Sequence, residues 1–308
     1  MNTCSVIIPA YNSEKTIEKT IQSVLSQDYD DIEIIVVNDG STDNTEAVVK
    51  KFEQVKYYYQ QNAGVSFARN LGLEKSTGNY IQYLDADDLL APQKIKIQIE
   101  ALQNSNADVA YGDWIKFTED DSVYKELKTV KRSMKKRPEI ELLTDFWVPL
   151  AGLLYTRNIV DKIGDWNTAL PIIQDARYAL DAAIHGAKFV YTEGNMAYYR
   201  VHNSGSLSTL SRVLFMTDCL HNAIQIDKIW RNDYDKDIEK KEAVISVLRF
   251  CINEFSGVDK LKHKQALDLI LDIDPNYIPN GSKALSILSK LMGYRNAERI
   301  AYYKRKLS

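Results

Sequence analysis

A chain of 308 residues, 45% of them hydrophobic, can bury a sizeable core and hold two modest domains or one domain with an appendage. Its 39 basic and 42 acidic residues give a formal charge of −3, which argues against a general nucleic-acid binder. Cys4, Cys219 and Cys251 lie far apart without CxxC spacing, so they read as buried hydrophobes in a reducing compartment, not as a disulfide frame or a zinc site.

Strand-like sequence begins almost at the N-terminus, which leaves no room for a signal peptide. No stretch approaches the ~20 apolar residues that span a bilayer, so a cytoplasmic protein is expected. Residues 4–9 form a β-branched apolar run stopped by Pro9. Ile17, Ile21, Val24 and Leu25 then fall on one helix face. Residues 32–37 are a second buried strand, followed by a turn at Asp39-Gly40-Ser41. Asp43 with Glu46 resembles a capping box opening a helix with Val48, Val49 and Phe52. Residues 55–59 predict a third strand, 63–73 a third helix and 80–84 a fourth strand. Pro92 suits a helix start, with Ile95, Ile99 and Leu102 facing inward. Strands apolar on both faces, alternating with helices, predict an α/β fold: a Rossmann-like, mostly parallel sheet flanked by helices.

Beyond this the pattern is mixed. Residues 107–117 predict a strand or hairpin, the charged stretch 119–137 a mobile surface excursion, and 147–155 a return to the core. After residue 211 apolar residues recur at helical spacing, as in Val244, Val247, Leu248 and Cys251, then Leu267, Ile270 and Leu271, then Leu285, Leu288 and Leu291. The expected division is a nucleotide-binding domain over residues 1–208 and a helical region over 209–308.

Ligands of an open α/β sheet bind beyond the carboxyl ends of the strands. There lie Pro9, Tyr11 and Asn12, then Asp39, then Asp85-Ala86-Asp87. Two Asp one residue apart can hold a divalent cation through hard oxygens, and the cation a diphosphate. Asp39 suits a base N–H or ribose hydroxyls, Tyr11 can stack on a base, and Arg69 can hold a ligand or order the acids. Each alone has a plainer reading: packing for Tyr11, a turn for Asp39, an ion pair for Arg69. Neither GxGxxG nor GxxxxGK[ST] occurs, so a bound diphosphate would need the cation.

Four blocks occur in order: residues 5–12 (SVIIPAYN), 36–43 (VVNDGSTD), 62–70 (NAGVSFARN) and 83–88 (YLDADD). Together they resemble the family 2 glycosyltransferases of the GT-A fold, over about residues 5–208. The resemblance implies inverting transfer from a nucleotide-sugar, commonly a UDP-sugar, to a glycan, lipid-linked or protein acceptor in polysaccharide or cell-envelope synthesis. It assigns Tyr11, Asp39 and Arg69, with Pro9, Asn12 and Ala86 beside them, to the nucleotide-sugar. Asp85 and Asp87 become the pair associated with Mn²⁺ or Mg²⁺, Asp87 the direct ligand. The family's downstream acid pair matches Gln174-Asp175, where Asp175 would be the general base and Gln replaces Glu, which puts acceptor choice in doubt. Residues 199–206 are similar to the family's Tyr-Arg-x-His-x-x-Ser segment. His202 would then ligate the cation, and Arg200 or Ser204 would neutralise the departing diphosphate.

Acceptor recognition is expected from Trp147, Gly152, Trp166 and Gln174, the alternative being that both tryptophans fill the core. Tyr302-Tyr303-Lys304-Arg305-Lys306 is either a solvated helix end or a peripheral contact with an anionic membrane. Two rivals stay open. One is a non-catalytic sugar-nucleotide-binding subunit of a glycan-assembly complex. The other is a nucleotidyltransferase, which expects a glycine-rich phosphate loop where Ala10-Tyr11-Asn12 stands.

Overall fold

Strands that are apolar on both faces are stable only inside a sheet covered on both sides, and the first, second and fourth strands take that position, while the third lies at the edge without a buried residue. The computed structural model describes residues 2–120, 123–202, 211–280 and 282–307. It divides into two compact units, Met1–Ser206 and Leu207–Ser308. In the first, β1 (Cys4–Ala10), β2 (Ile32–Asp39), β3 (Val55–Gln60) and β4 (Tyr80–Tyr83) pair in parallel in the order β3-β2-β1-β4. Helices α1 (Ile17–Leu25), α2 (Thr45–Val49), α3 (Val65–Lys75) and α4 (Lys94–Ser105) alternate with them. Ile17, Ile21 and Val24 are buried, whereas Leu25 is exposed, since a ninth-residue helix end has turned past the core.

The other half of the sheet is mixed. β8 (Leu153–Thr156) runs antiparallel to β4, and β6 (Val109–Asp120) antiparallel to β8. β9 (Phe189–Arg200) runs parallel to β6 and carries β5 (Leu89–Leu90) on its far edge. β7 (Val123–Val130) pairs antiparallel with β6, so much of the stretch expected as a mobile surface excursion is strand, with a bulge at Lys116/Phe117 of its partner. Its composition hides this because β7 is almost wholly exposed and lacks apolar alternation. Helices α5 (Pro138–Thr144), α6 (Arg157–Ile163) and α7 (Gln174–Ile184) complete the unit.

The expected capping box is replaced by a different tie. Asp43 accepts from Thr45 N at 3.0 Å and from Glu14 N at 3.0 Å, so it joins two loops, and Glu46 pairs instead with Lys50 one turn on.

The second unit is helical: α8 (Arg212–Trp230), α9 (Ile238–Phe255), α10 (Lys260–Ile273), α11 (Lys283–Met292) and α12 (Tyr294–Leu307). Ser211, Asp237, Asp259 and Ser282 each accept a backbone N–H of the first turn of α8 to α11, so local sequence sets where these helices start. Val244, Leu248, Cys251, Leu267, Ile270 and Leu285 are buried as the spacing predicts. Leu291 is not: it is 76% exposed. Among the described residues no helix is long and apolar enough to cross a membrane.

Candidate active site

Parallel strands β1, β2 and β4 end at one rim, and the chain beyond each carries polar groups. Near the end of β1 Pro9 is buried, and just beyond the strand Tyr11 is 51% exposed. Asn12 adopts φ 48°, a left-handed turn that asparagine tolerates. Its side chain accepts from Thr42 N at 2.8 Å, tying the β1 loop to the β2 loop. Gly40 is required by its φ of 73° and because a Cβ there would lie 2.6 Å from Asn62 N. Asp39 is buried and accepts from Ala63 N at 2.8 Å, Gln60 Nε2 at 2.7 Å and Gly64 N at 2.9 Å. It therefore shapes the 62–64 loop with its own carboxylate.

The loop after β4 is crowded with acids. Arg69 is 2% exposed and donates to Asp85 Oδ1 at 2.7 Å. Its guanidinium lies 4.4 Å over Trp166, which in turn stacks on Tyr178 at 4.0 Å and 3°. Arg69 Nε and Nη1 have no further partner among the described residues. Desolvation raises the Asp85 carboxyl, Arg69 opposes the rise, and Asp87 adds to it. Asp87 Oδ2 lies 2.6 Å from His202 Nε2, and that hydrogen bond raises the imidazole while burial opposes it. Asp88 is buried, held by Arg200 N at 2.8 Å, and pushed well up by burial and then by Asp87 and Asp85. Ala86 is buried too, and Thr20 Oγ1 lies 3.0 Å from its carbonyl and from that of Asp88. Arg200 fastens the loop from beneath: Nε donates to Asp87 O at 2.8 Å and Nη1 to Glu119 Oε2 at 2.8 Å.

Asp175 stands in the first turn of α7. Trp147 Nε1 donates to Oδ2 at 2.7 Å and Ala176 N to Oδ1 at 2.7 Å. Gln174 is buried and accepts from Asp175 N at 2.8 Å. The Tyr199 ring meets Trp147 edge-on at 5.4 Å, and Trp147 meets Trp114 at 6.0 Å. Burial and then the carboxylates Asp88, Asp85, Asp175 and Asp87 drive the Tyr199 hydroxyl strongly up. Arg200 N on Asp88 and the Tyr199 ring on Trp147, which holds Asp175, bring the β4 acids and the α7 acid into one neighbourhood.

Several expected roles change. Trp166 is 2% exposed, sandwiched between Arg69 and Tyr178, so it cannot stack on an acceptor sugar. Gly152 is buried, its carbonyl accepting from Gln98 Nε2 at 3.0 Å, and its lack of a Cβ makes room for Val148. Arg200 is 6% exposed and shared between Asp87 O and Glu119, which makes it a strut of the loop and not a clamp on departing diphosphate. Gln174 is likewise turned inward. Ser204 lies outside the described residues. Sequence reasoning missed Glu119, hidden in the presumed excursion, and gave Tyr199 no role although it opens the quoted 199–206 block. It also missed the indole N–H of Trp147 as a partner for Asp175, which spacing cannot reveal.

No three His, Cys, Asp or Glu side chains converge on one point among the described residues. Asp87 and His202 do meet, with Asp85 alongside. One or two protein donors completed by phosphate oxygens is the way a hard cation sits beside a nucleotide, so the donor set fits Mg²⁺ or Mn²⁺.

Comparison with known proteins gives a consistent result. Over 213 residues the chain is 33% identical to the Escherichia coli UDP-Glc:alpha-D-GlcNAc-diphosphoundecaprenol beta-1,3-glucosyltransferase WfaP, covering 68% of this chain and 80% of that one. Over 124 residues it is 37% identical to glycosyltransferase GlyA of Streptococcus pneumoniae, covering 39% of this chain and 18% of GlyA, so it spans under a fifth of that larger protein. The crystal structure of S. aureus TarS 1-349 in complex with UDP-GlcNAc superposes with a TM-score of 0.69 at 19% identity, covering 98% of this chain and 92% of that one, which establishes a GT-A fold. Glycosyl transferase family 2 matches residues 5–163. Because that match runs through β1, the Asp39 turn and the Asp85-Ala86-Asp87 loop and takes in more than half of the sequence, the chain belongs to glycosyl transferase family 2.

Proposed function

We propose that this protein moves a sugar from a UDP-sugar to a hydroxyl of a lipid-linked glycan, with inversion, in envelope glycan assembly. The observation that carries the reading is the juncture at Tyr199 and Arg200, where Arg200 N holds Asp88 of the β4 loop and the Tyr199 ring meets Trp147, which holds Asp175 of α7. The WfaP relative acts from UDP-Glc on a diphosphoundecaprenol-linked sugar, and TarS has been crystallised with UDP and UDP-GlcNAc, which supports the donor class.

In this reading Tyr11 offers its exposed ring to the base, and Asp39 fixes the 62–64 loop beside it. Asp175 accepts the acceptor's hydroxyl proton as that oxygen attacks the anomeric carbon. A carboxylate is a weak base toward a sugar hydroxyl, so the proton moves late, in concert with bond formation. Trp147 and Ala176 aim the carboxylate, and being neutral donors they leave its charge intact. A divalent cation held by Asp87 and His202, with Asp85 beside it, would supply Lewis-acid stabilisation of the departing diphosphate. Arg69 and Arg200 position those acids from the protein side.

The test is nucleotide release by the purified full chain with UDP-, GDP- and dTDP-sugars, each with and without Mn²⁺, in the presence of a sugar-diphospholipid acceptor. The expected result is acceptor-dependent UDP release that needs Mn²⁺. Donor binding without release under every condition would favour the non-catalytic subunit. Pyrophosphate release from a nucleoside triphosphate and a sugar phosphate would favour the nucleotidyltransferase.

A further inference from the structure

Charge is distributed unevenly along this chain. From residue 275 to 308 there are seven cations, Lys283, Lys290, Arg295, Arg299, Lys304, Arg305 and Lys306, and a single acid, Glu298. That net of +6 stands in a chain whose total is −3. The lone acid is removed from the surface: Glu298 is fully buried, with Arg249 Nη1 at 3.1 Å, His263 Nε2 at 3.5 Å, and Arg305 bonded to it as well. This buried cluster fixes the rotation of α12 and decides which face turns outward.

The outward faces of α11 and α12 are both basic and apolar. On α11, Lys283, Ala284, Ile287, Lys290 and Leu291 are exposed at helical spacing, with Ile287 at 58% and Leu291 at 76%. On α12 the exposed stripe is Arg295, Asn296, Arg299, Ile300, Tyr303 and Lys304, so each turn sets a polar or cationic residue beside a neighbour and Ile300 and Tyr303 project with the cations. Only Gly293, at φ 78°, separates the helices. Arg295 pairs with Asp268, whereas Lys283, Lys290, Arg299 and Lys304 have no salt bridge among the described residues. Leu291 was expected inside from the spacing of Leu285, Leu288 and Leu291, and the inversion is what gives α11 its apolar outer edge. The tail residues Tyr302 and Arg305, read from sequence as part of a solvated helix end or a membrane contact, are turned inward, Tyr302 against His263 and Arg305 onto Glu298.

We infer that the outer faces of α11 and α12 dock on an anionic bilayer surface. Exposed isoleucine, leucine and tyrosine flanked by lysine and arginine, with no exposed acid on either helix and Asp268 of α10 the one acid paired to the stripe among the described residues, match an interfacial helix: apolar side chains enter the headgroup boundary and cations meet anionic lipid. The charge singles out this occupant, because a second copy would bring an equally basic face against it and be repelled. The inference stands apart from the transfer chemistry, since it uses no residue of the catalytic rim.

The experiment is vesicle flotation of the full chain on pure phosphatidylcholine vesicles and on vesicles with 30 mole per cent phosphatidylglycerol, at low and high salt. Binding to the anionic vesicles alone, weakened by salt, is expected. Lys290→Glu with Arg299→Glu should lower the partition coefficient at least about tenfold, each lost cation being worth about fivefold. Leu291→Glu with Ile287→Glu should lower it comparably, and both pairs should keep the wild-type circular dichroism melt because these side chains are exposed. No binding to anionic vesicles at low salt would overturn the proposal, as would binding indifferent to both pairs. So would a wild-type dimer, by light scattering, that Leu291→Glu dissolves without vesicle binding, which would assign the face to self-association.

Discussion

At the N-terminus of α7, Asp175 is gripped by an indole N–H and a backbone N–H, whereas in the loop after β4 Asp85 faces Arg69 and Asp87 faces His202. Asp39 follows the α7 pattern, held by two backbone N–H groups and an amide. Neutral donors orient a carboxylate and leave its full charge to act on whatever lies before it. A cationic partner such as Arg69 orients a carboxylate too, but cancels most of that charge. The two regions therefore suit different tasks: a base that must attract a proton, and acids that must sit close together without flying apart.

The sharpest way to break this contrast is Asp175→Asn. With the charge gone and one of the two N–H donors left facing an amide NH2, turnover should fall by about 10²–10⁴ while donor affinity, read by calorimetry, stays the same. An equal fall in donor affinity would show that the α7 acid serves the donor, and the division of tasks would collapse. Next comes Arg69→Met, which leaves the β4 acids without their buried cation. Breaking a buried pair costs about 3–5 kcal/mol, and the lower end applies because Asp85 is partly open to solvent. Adding Asp85→Asn to that variant should restore part of the loss in urea denaturation; strict additivity would deny the coupling.

Lys94 is the inverse case, a cation with only a neutral partner, and it lies in the core. It is fully buried, its Nζ donating to Leu153 O at 2.7 Å, and burial lowers its pKa to about 7. The unfolded chain then binds more protons than the folded one between pH 7 and the ordinary lysine value, so this group adds stability as pH rises through that window. Below pH 7 it adds no further slope, and its penalty is at its greatest. Lys94→Met should stabilise the protein by about 1–4 kcal/mol at pH 7, the range for replacing buried charge by apolar volume. That advantage should shrink by up to about 1.4 kcal/mol per pH unit toward pH 8.5. A constant advantage in denaturant melts at pH 7.0, 7.8 and 8.5 would mean that the amine keeps its charge in the fold.

What the amino-acid order revealed follows the same geography. The parallel half is built from contiguous segments whose ends carry their own chemistry, so Asp39, Asp85 and Asp87 could be placed at one rim from periodicity alone. The mixed half depends on pairings such as Tyr111 with Tyr191, and no local pattern announces them. Hence β7 passed for an excursion, and Glu119 with it. Aromatic residues were ambiguous for a related reason: Trp147 and Trp166 look alike in sequence, yet one is half-buried beside Asp175 and the other is stacked inside the unit. Burial of an indole is decided by what packs on it, here Arg69 and Tyr178, which lie more than a hundred residues apart in the sequence.

Trp147 itself offers the finest cut between the two ways of holding an acid. Trp147→Phe keeps an aromatic face against Trp114 and Tyr199 and removes only the N–H that reaches Asp175 Oδ2. The carboxylate keeps its bond from Ala176 N, so it loses orientation and not its place. A hydrogen bond to a charged group is worth about 1.5–3 kcal/mol, and with one donor retained the loss in kcat should be at the low end, about tenfold. KM for the acceptor should hardly move. If the ring were instead a platform for the acceptor sugar, Phe would preserve kcat and change that KM, because the stacking surface shrinks while the base is untouched. The split between the two constants tells an aiming residue from a binding one.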